Sequence, residues 1–272
     1  MQIGTTHFGI GARTFLIGIL NVTPDSFFDG GSYTSVEQAV HRAKKLVDDG
    51  ADIIEIGGES SRPGFTPVEA EVELDRVLPV LDALQNVINV PIAVDTYKAE
   101  VAEKALQNGA SMINNVLCFK KDRALAEVCA NYNAAYCVMH NRGNMDYDHF
   151  LLDVIADLED TVLFLTEAGV SPGNIIIDPG IGFAKSAAQN LEILRNLPLF
   201  TALPYPVMLG TSRKSFMGHT LGLPLEDRLE ATVATTVLAI DHGCAFVRVH
   251  DVLENKRAAR MADAIVRGSA HG

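Results

Sequence analysis

Asn21, Asp95, Asn114, Asp178, Lys214, Arg248 and His250 all stand at or just past the end of a short apolar run rich in Val and Ile. The first run ends at Asn21, and the second leads into Gly57-Gly58-Glu59-Ser60-Ser61-Arg62-Pro63-Gly64. The third ends at Asp95-Thr96, the fourth at Asn114-Asn115, the fifth at His140-Asn141-Arg142 and the sixth at Asp178-Pro179-Gly180. The seventh enters Gly210-Thr211-Ser212-Arg213-Lys214-Ser215, and the eighth enters Arg248-Val249-His250-Asp251. One such residue is explained equally well as a helix cap or a loop-ordering group. Eight clusters in the same relative place point to a shared site. Asp95, Asn114, Asp178 and Lys214 offer donors and acceptors suited to the amide and amine edge of a flat heterocycle. Arg62, Arg248 and His250, with Asn21 as an oxygen ligand, suit a phosphorylated group and a hard cation such as magnesium. Together they suggest a ring bearing a phosphate leaving group.

Such a set needs a scaffold that presents eight strand ends to one place. Apolar runs at 15–20, 53–56, 92–94, 112–114, 135–139, 175–177, 207–209 and 245–249 predict strands. They alternate with segments of helical period at 36–49, 69–85, 99–107, 124–131, 151–168, 188–196, 229–241 and 253–266. Gly50, Gly109 and Gly243 are placed to stop a helix and feed the next strand. Alternating β and α units imply a parallel sheet, and eight of them imply a (β/α)8 TIM barrel, with active-site residues at the C-terminal strand ends. A doubly wound open sheet is the competing architecture, but the first strand runs into Asn-Val-Thr-Pro and not a glycine-rich turn. No Ser-, Pro- or Gly-dominated linker divides the chain, so residues 1–272 read as one α/β domain.

Composition narrows the function classes. A net charge of -12 argues against nucleic acid as a partner, since phosphate backbones are held by clustered Lys and Arg. Cys118, Cys129, Cys137 and Cys244 lack metal or redox spacing and read as small reduced fillers. No basic leader followed by an apolar run is present, nor a stretch of about 18 apolar residues, so a cytoplasmic protein with no membrane partner is expected. The long loops at 23–31 and 57–64 carry Phe27, Phe28 and Asp29, and Ser61-Arg62-Pro63, and read as lids that exclude water.

The segments "GILNVTPDSFFDGG", "GADIIEIGGESSRPG", "VDTYKAEVAEKAL", "GASMINNV", "IIIDPGIGFAK", "LGTSRKSFMG" and "VRVHDV" resemble the dihydropteroate synthase family, nearly end to end. The resemblance implies condensation of 6-hydroxymethyl-7,8-dihydropterin pyrophosphate with 4-aminobenzoate, giving 7,8-dihydropteroate and pyrophosphate with magnesium. It also implies a homodimer. By the same resemblance Asn21 meets the metal, Asp95, Asn114, Asp178 and Lys214 hold the pterin, and Ser61, Arg62, Arg248 and His250 hold the pyrophosphate. Val249, between the last two, is counted with the substrate-binding set. Phe27, Pro63, Phe183, Ser212 and Lys214 border the aminobenzoate, where sulfonamides compete in this family. Phe28, Ser61 and Asn115 depart from the commonest pattern, where Ser, Thr and Asp are frequent.

No histidine stands in a nucleophile-activating arrangement, and an arylamine is nucleophilic when neutral. The carbon–oxygen bond of the implied substrate is therefore expected to break largely before the amine attacks. Asp95 and Asp178 face the cation; Arg62, Arg248, His250 and magnesium face the departing anion. Asp29 joins these catalytic residues through the first lid. A pterin-binding methyltransferase on the same barrel and a silent pterin-binding paralogue are the alternatives. The homodimer face is expected on the helices at 229–241 and 253–266.

Overall fold

The computed structural model describes residues 1–23, 32–59, 66–117 and 121–268. Eight strands are parallel neighbours in one sheet: β3 (Phe15–Asn21), β4 (Ile53–Gly57), β5 (Ile92–Asp95), β6 (Met112–Asn115), β7 (Ala135–Met139), β8 (Ile175–Asp178), β9 (Met208–Leu209) and β10 (Phe246–Val249). Pairing runs in chain order from β3 to β8, with β10 joining β3 and β9 joining β10. An isolated parallel bridge between Ile177 and Val207 brings the two ends of the sheet together, so the barrel is nearly closed. Helices α1 (Ser32–Asp48), α2 (Ala70–Leu84), α3 (Ala99–Gln107), α4 (Arg123–Asn131), α5 (Phe150–Glu167), α6 (Ala187–Arg195), α9 (Leu229–Asp241) and α10 (Val252–Arg267) follow the strands. The predicted elements all appear, with ends moved by up to four residues.

Gly50, Gly109 and Gly243 take φ of +106°, +93° and +85°, the left-handed turn that ends a helix without steric cost. Among the described residues five short elements carried no periodic signal: the hairpin strands β1 (Gln2–Ile3) and β2 (Thr6–His7), the short helices α7 (Leu197–Thr201) and α8 (Ser215–Leu221), and a 3-10 turn at Pro172–Asn174. The hairpin has a clear packing role. Ile3 and Phe8 are buried with Phe15 and Phe246, and the Phe8 and Phe15 rings meet edge to face at 4.9 Å, so the N-terminal mouth is plugged.

Strand periodicity divides the core in two. Leu16, Leu20, Ile54, Ile56, Val94, Ile113, Val138, Ile177 and Val247 pack with the helices. The alternate residues Phe15, Ile17, Ile53, Ala93, Met112, Ala135, Cys137, Ile176, Met208 and Phe246 fill the barrel. Continuing the inward parity toward the C-terminal ends reaches Asn21, Glu55, Gly57, Asp95, Asn114, Asp178, Gly210 and Arg248. The barrel is thus apolar below and charged above. Cys129, Cys137 and Cys244 are buried in the core, in keeping with a role as small fillers.

Candidate active site

Arg248 is the centre of the upper layer. Its Nε donates to Glu55 Oε1 at 2.6 Å, and its Nη2 reaches Asp95 Oδ2 at 3.2 Å. Burial works against the guanidinium charge, but Glu55 and Asp95 outweigh it and hold the pKa above its usual value. Asp95 experiences the converse: burial, then the Glu55 charge, push it up to about 7 against the pull of Arg248. Two carboxylates thus share one cation in a desolvated layer.

Asp178 accepts the Gly180 N–H through Oδ1 at 2.7 Å, and burial raises its pKa despite Lys214. Lys214 donates to the Ile181 carbonyl and stands 4.7 Å from the Phe183 ring centroid. Burial brings its pKa down to about 8. Gly210 leaves room between these groups, since a Cβ there would sit 3.7 Å from Asp178 Oδ2 and 3.8 Å from Arg248 Cβ. Ser212 ties the last two strand ends together: its Oγ is 2.9 Å from His250 Nδ1 and accepts the His250 N–H at 3.1 Å. Among the described residues Asn114 Oδ1 has no hydrogen-bond partner, although it is buried, which leaves it an acceptor for a donor from outside.

Asn21 lies at the open end of β3 beside Gly57, where a Cβ would come within 3.2 Å of Asn21 Oδ1. Among the described residues no group of three or more His, Cys, Asp or Glu converges. The Asn21 amide is an oxygen donor of the kind magnesium takes beside waters.

The structure therefore brings Asn21, Asp95, Asn114, Asp178, Lys214, Arg248, Ser212, His250 and Phe183 to the C-terminal mouth. Phe27, Asp29, Ser61, Arg62 and Pro63 lie outside the described residues. Glu59, at the start of the second loop, accepts from Tyr97 Oη at 2.9 Å, Lys98 Nζ at 2.7 Å and Val68 N at 2.8 Å, which fixes the flanks of that loop.

Several expectations need correction. Val249 faces the helices, buried among apolar neighbours, because it has the parity opposite to Arg248. Arg213 pairs with Asp251 at 2.7 Å and braces the loop from outside. Asn141 donates to the Val116 carbonyl, and Arg142 and His140 both engage Asp157 on α5, so the fifth strand end orders loops. Glu55 was missed because it sits inside an apolar strand, "IIEIG". A glutamate at an inward position of a barrel strand was the available signal, since such a charge is retained only with a partner.

A family model described as pterin binding enzyme matches residues 17–250. A dihydropteroate synthase from Clostridium beijerinckii is 52% identical over 268 residues, covering 98% of this chain and all of the relative. The solved dihydropteroate synthase from Clostridium difficile, in the presence of pteroic acid, superposes with a TM-score of 0.93 at 47% identity, covering 96% of this chain and 100% of that one. The Xanthomonas albilineans enzyme with 4-aminobenzoic acid gives 0.89 at 40% identity, with 93% of each chain covered.

Proposed function

The chain belongs to the pterin-binding enzyme family, and from that premise we propose that it is a dihydropteroate synthase. It joins the methylene carbon of 6-hydroxymethyl-7,8-dihydropterin pyrophosphate to the amine of 4-aminobenzoate and releases pyrophosphate. The observation that carries this reading is the upper barrel layer, where Asp178, Lys214, Asp95 and the unpartnered Asn114 Oδ1 form a compact donor and acceptor set above an apolar floor. A heteroaromatic edge with amide and amine groups satisfies that set. The similarity of solved structures with pteroic acid and 4-aminobenzoic acid supports the same pairing of ligands.

Asp178 and Asn114 hold the pterin edge, Lys214 donates to it, and Arg248 lies between the ring and the departing anion. His250 borders that anion, joined by Ser61 and Arg62, while Ser212, hydrogen-bonded to His250, stands on the arylamine side. Phe183 walls the arylamine with Phe27 and Pro63. Asn21 would hold a magnesium ion, which would supply charge neutralisation for the pyrophosphate. The chain's own contribution is fixed charge: carboxylates toward the developing pterin cation, and Arg248 with His250 toward the leaving group. No strong base is required, because the attacking arylamine is neutral.

The protein works as a homodimer through α9 and α10, which expose Val237, Met261, Ile265 and Val266. No described helix is long and apolar enough to cross a membrane. The deciding experiment is pyrophosphate release from purified protein. Release that requires both substrates and yields dihydropteroate is expected. Transfer of a methyl group, or pterin binding without turnover, would displace the reading in favour of its two rivals.

A further inference from the structure

Lys185 is a buried lysine that the reaction above leaves unused, and its surroundings are built for an ammonium. Its Nζ donates to the carbonyls of Gly180 at 3.0 Å and Phe183 at 2.9 Å, and lies 3.3 Å from the His140 carbonyl. It also stands 2.8 Å from His140 Nδ1, while His140 Nε2 is 3.0 Å from Asp157 Oδ2. The Asp157 carboxylate only accepts, so Nε2 carries the proton and Nδ1 accepts from Lys185, whose own pKa burial brings down to about 7. His140 is then neutral, in keeping with burial and the Lys185 charge, which bring its pKa down to about 4. A continuous polar chain runs inward from Asp157, half-exposed and shared with Arg142, to the turn after β8.

That turn is conformationally costly. Gly180, Gly182 and Ala184 have φ of +73°, +84° and +47°, and Ala184 carries a side chain that disfavours the left-handed region. Such backbone persists only where its surroundings over-determine it. Here the two lysines grip different carbonyls of one turn: Lys185 takes those of Gly180 and Phe183, and Lys214 takes that of Ile181. The Phe183 ring is left beneath Lys214.

We propose that Lys185 is a positioning residue: anchored through His140 to Asp157, it clamps the 180–184 turn and so sets the Phe183 ring against the arylamine substrate. The proposal rests on the reading that Phe183 walls that substrate, and the experiment separates the two. Steady-state constants for both substrates are compared in the full-length K185M, F183A and K185M/F183A proteins. K185M keeps the alkyl stem and removes the donors. It is expected to raise the 4-aminobenzoate KM by about tenfold or more while the pterin-ester KM moves less than about threefold, since misplacing a contact by about 1 Å has effects of that order. F183A is expected to raise the same KM, and the double variant to show little beyond F183A. If F183A leaves the aminobenzoate KM unchanged, the placement of the ring itself has failed. If F183A raises it and K185M does not, or if the two effects multiply independently, the clamp is overturned. Should K185M fail to fold, D157N, altered at the accessible end of the chain, is expected to raise the aminobenzoate KM selectively but less. An unchanged KM there overturns the proposal equally.

Discussion

Glu55 shows how one buried charge sets the state of its neighbours. It pairs with Arg248 through one oxygen, while Oε2 is buried without a partner, and its charge is the second cause, after burial, of the raised Asp95 pKa. Glu59, Glu73 and Arg248 also act on Asp95. If ionised Asp95 stabilises the pterin cation, kcat/KM rises with pH through about 7, because the acid of the free protein is protonated below its raised pKa and charged above it. E55Q removes a negative neighbour, so Asp95 ionises more readily and the rising limb moves to lower pH. A limb that stays in place would show that another group titrates. Asp178→Ala and Lys214→Ala are each expected to lower kcat/KM by roughly 30- to 1000-fold, corresponding to about 2–4 kcal/mol for a lost charged partner. Both should leave the barrel folded, because they belong to the ligand face and not to the apolar layers; near-wild-type turnover in either would move the pterin pocket elsewhere. The placement of a polar group at the barrel mouth was legible wherever it followed an apolar strand, as at Asp95, Asn114 and Asp178. It failed where polarity lay inside the strand, as at Glu55, and where one residue of parity reversed a side chain, as at Val249. For His140, Arg142 and Arg213 the decisive partners, Asp157 and Asp251, stand 15 or more residues away, and only the fold brings them together.

At the scale of elements, the β/α units were readable because strand and helix periods differ and because glycines punctuate them. Helices α7 and α8 were not, being five and seven residues long, too short for a helical period to stand out. The N-terminal hairpin has two residues per strand and is stabilised by its plug of aromatic contacts, which no local pattern announces. The turn after β8 offers a test of how tightly an element is held. Gly180 and Gly222 have nearly the same φ, +73° and +70°, yet a Cβ on Gly180 would lie 1.8 Å from the His140 carbonyl oxygen, whereas one on Gly222 would meet nothing within 4 Å. Gly222→Ala should therefore cost only the conformational penalty, about 1 kcal/mol. Gly180→Ala adds a backbone collision and should cost at least about 1 kcal/mol more, since strain at such sites is of order 1–3 kcal/mol. It should also weaken turnover by moving Phe183 and the partner carbonyl of Lys214. Urea unfolding of the two variants measures the difference directly, and equal stabilities would mean that the turn yields freely.

For the whole molecule, the question is what covers the outer surface of α9 and α10. These helices pack on each other and carry the loops of the last two strand ends: the Arg213 N–H donates to Thr232 Oγ1 on α9, Thr211 Oγ1 meets Thr235 Oγ1 on α9, and the Arg213–Asp251 pair bridges to the start of α10. Their outer face exposes Val237, Met261, Ile265 and Val266, of which Met261 and Ile265 are 63% and 71% exposed. Met261 and Ile265 are four residues apart and so lie on one stripe of α10. A net charge of -12 opposes nonspecific association, so a second copy would have to be held by a specific apolar contact. Burying this stripe in a two-fold contact removes large side chains from water at about 25 cal/mol per Å2 and braces the two helices that support Ser212, Lys214 and His250. We therefore expect a dimer mass by light scattering at micromolar concentration and a melting temperature that rises with protein concentration. The double substitution Met261→Lys/Ile265→Lys should give a monomer that stays folded, because both side chains are already outside the core. Leu163→Lys, on the exposed face of α5, should remain dimeric. A wild-type monomer at these concentrations would end the idea of a dimer, and a dimer abolished by Leu163→Lys but not by the α10 pair would transfer it to the other side of the barrel.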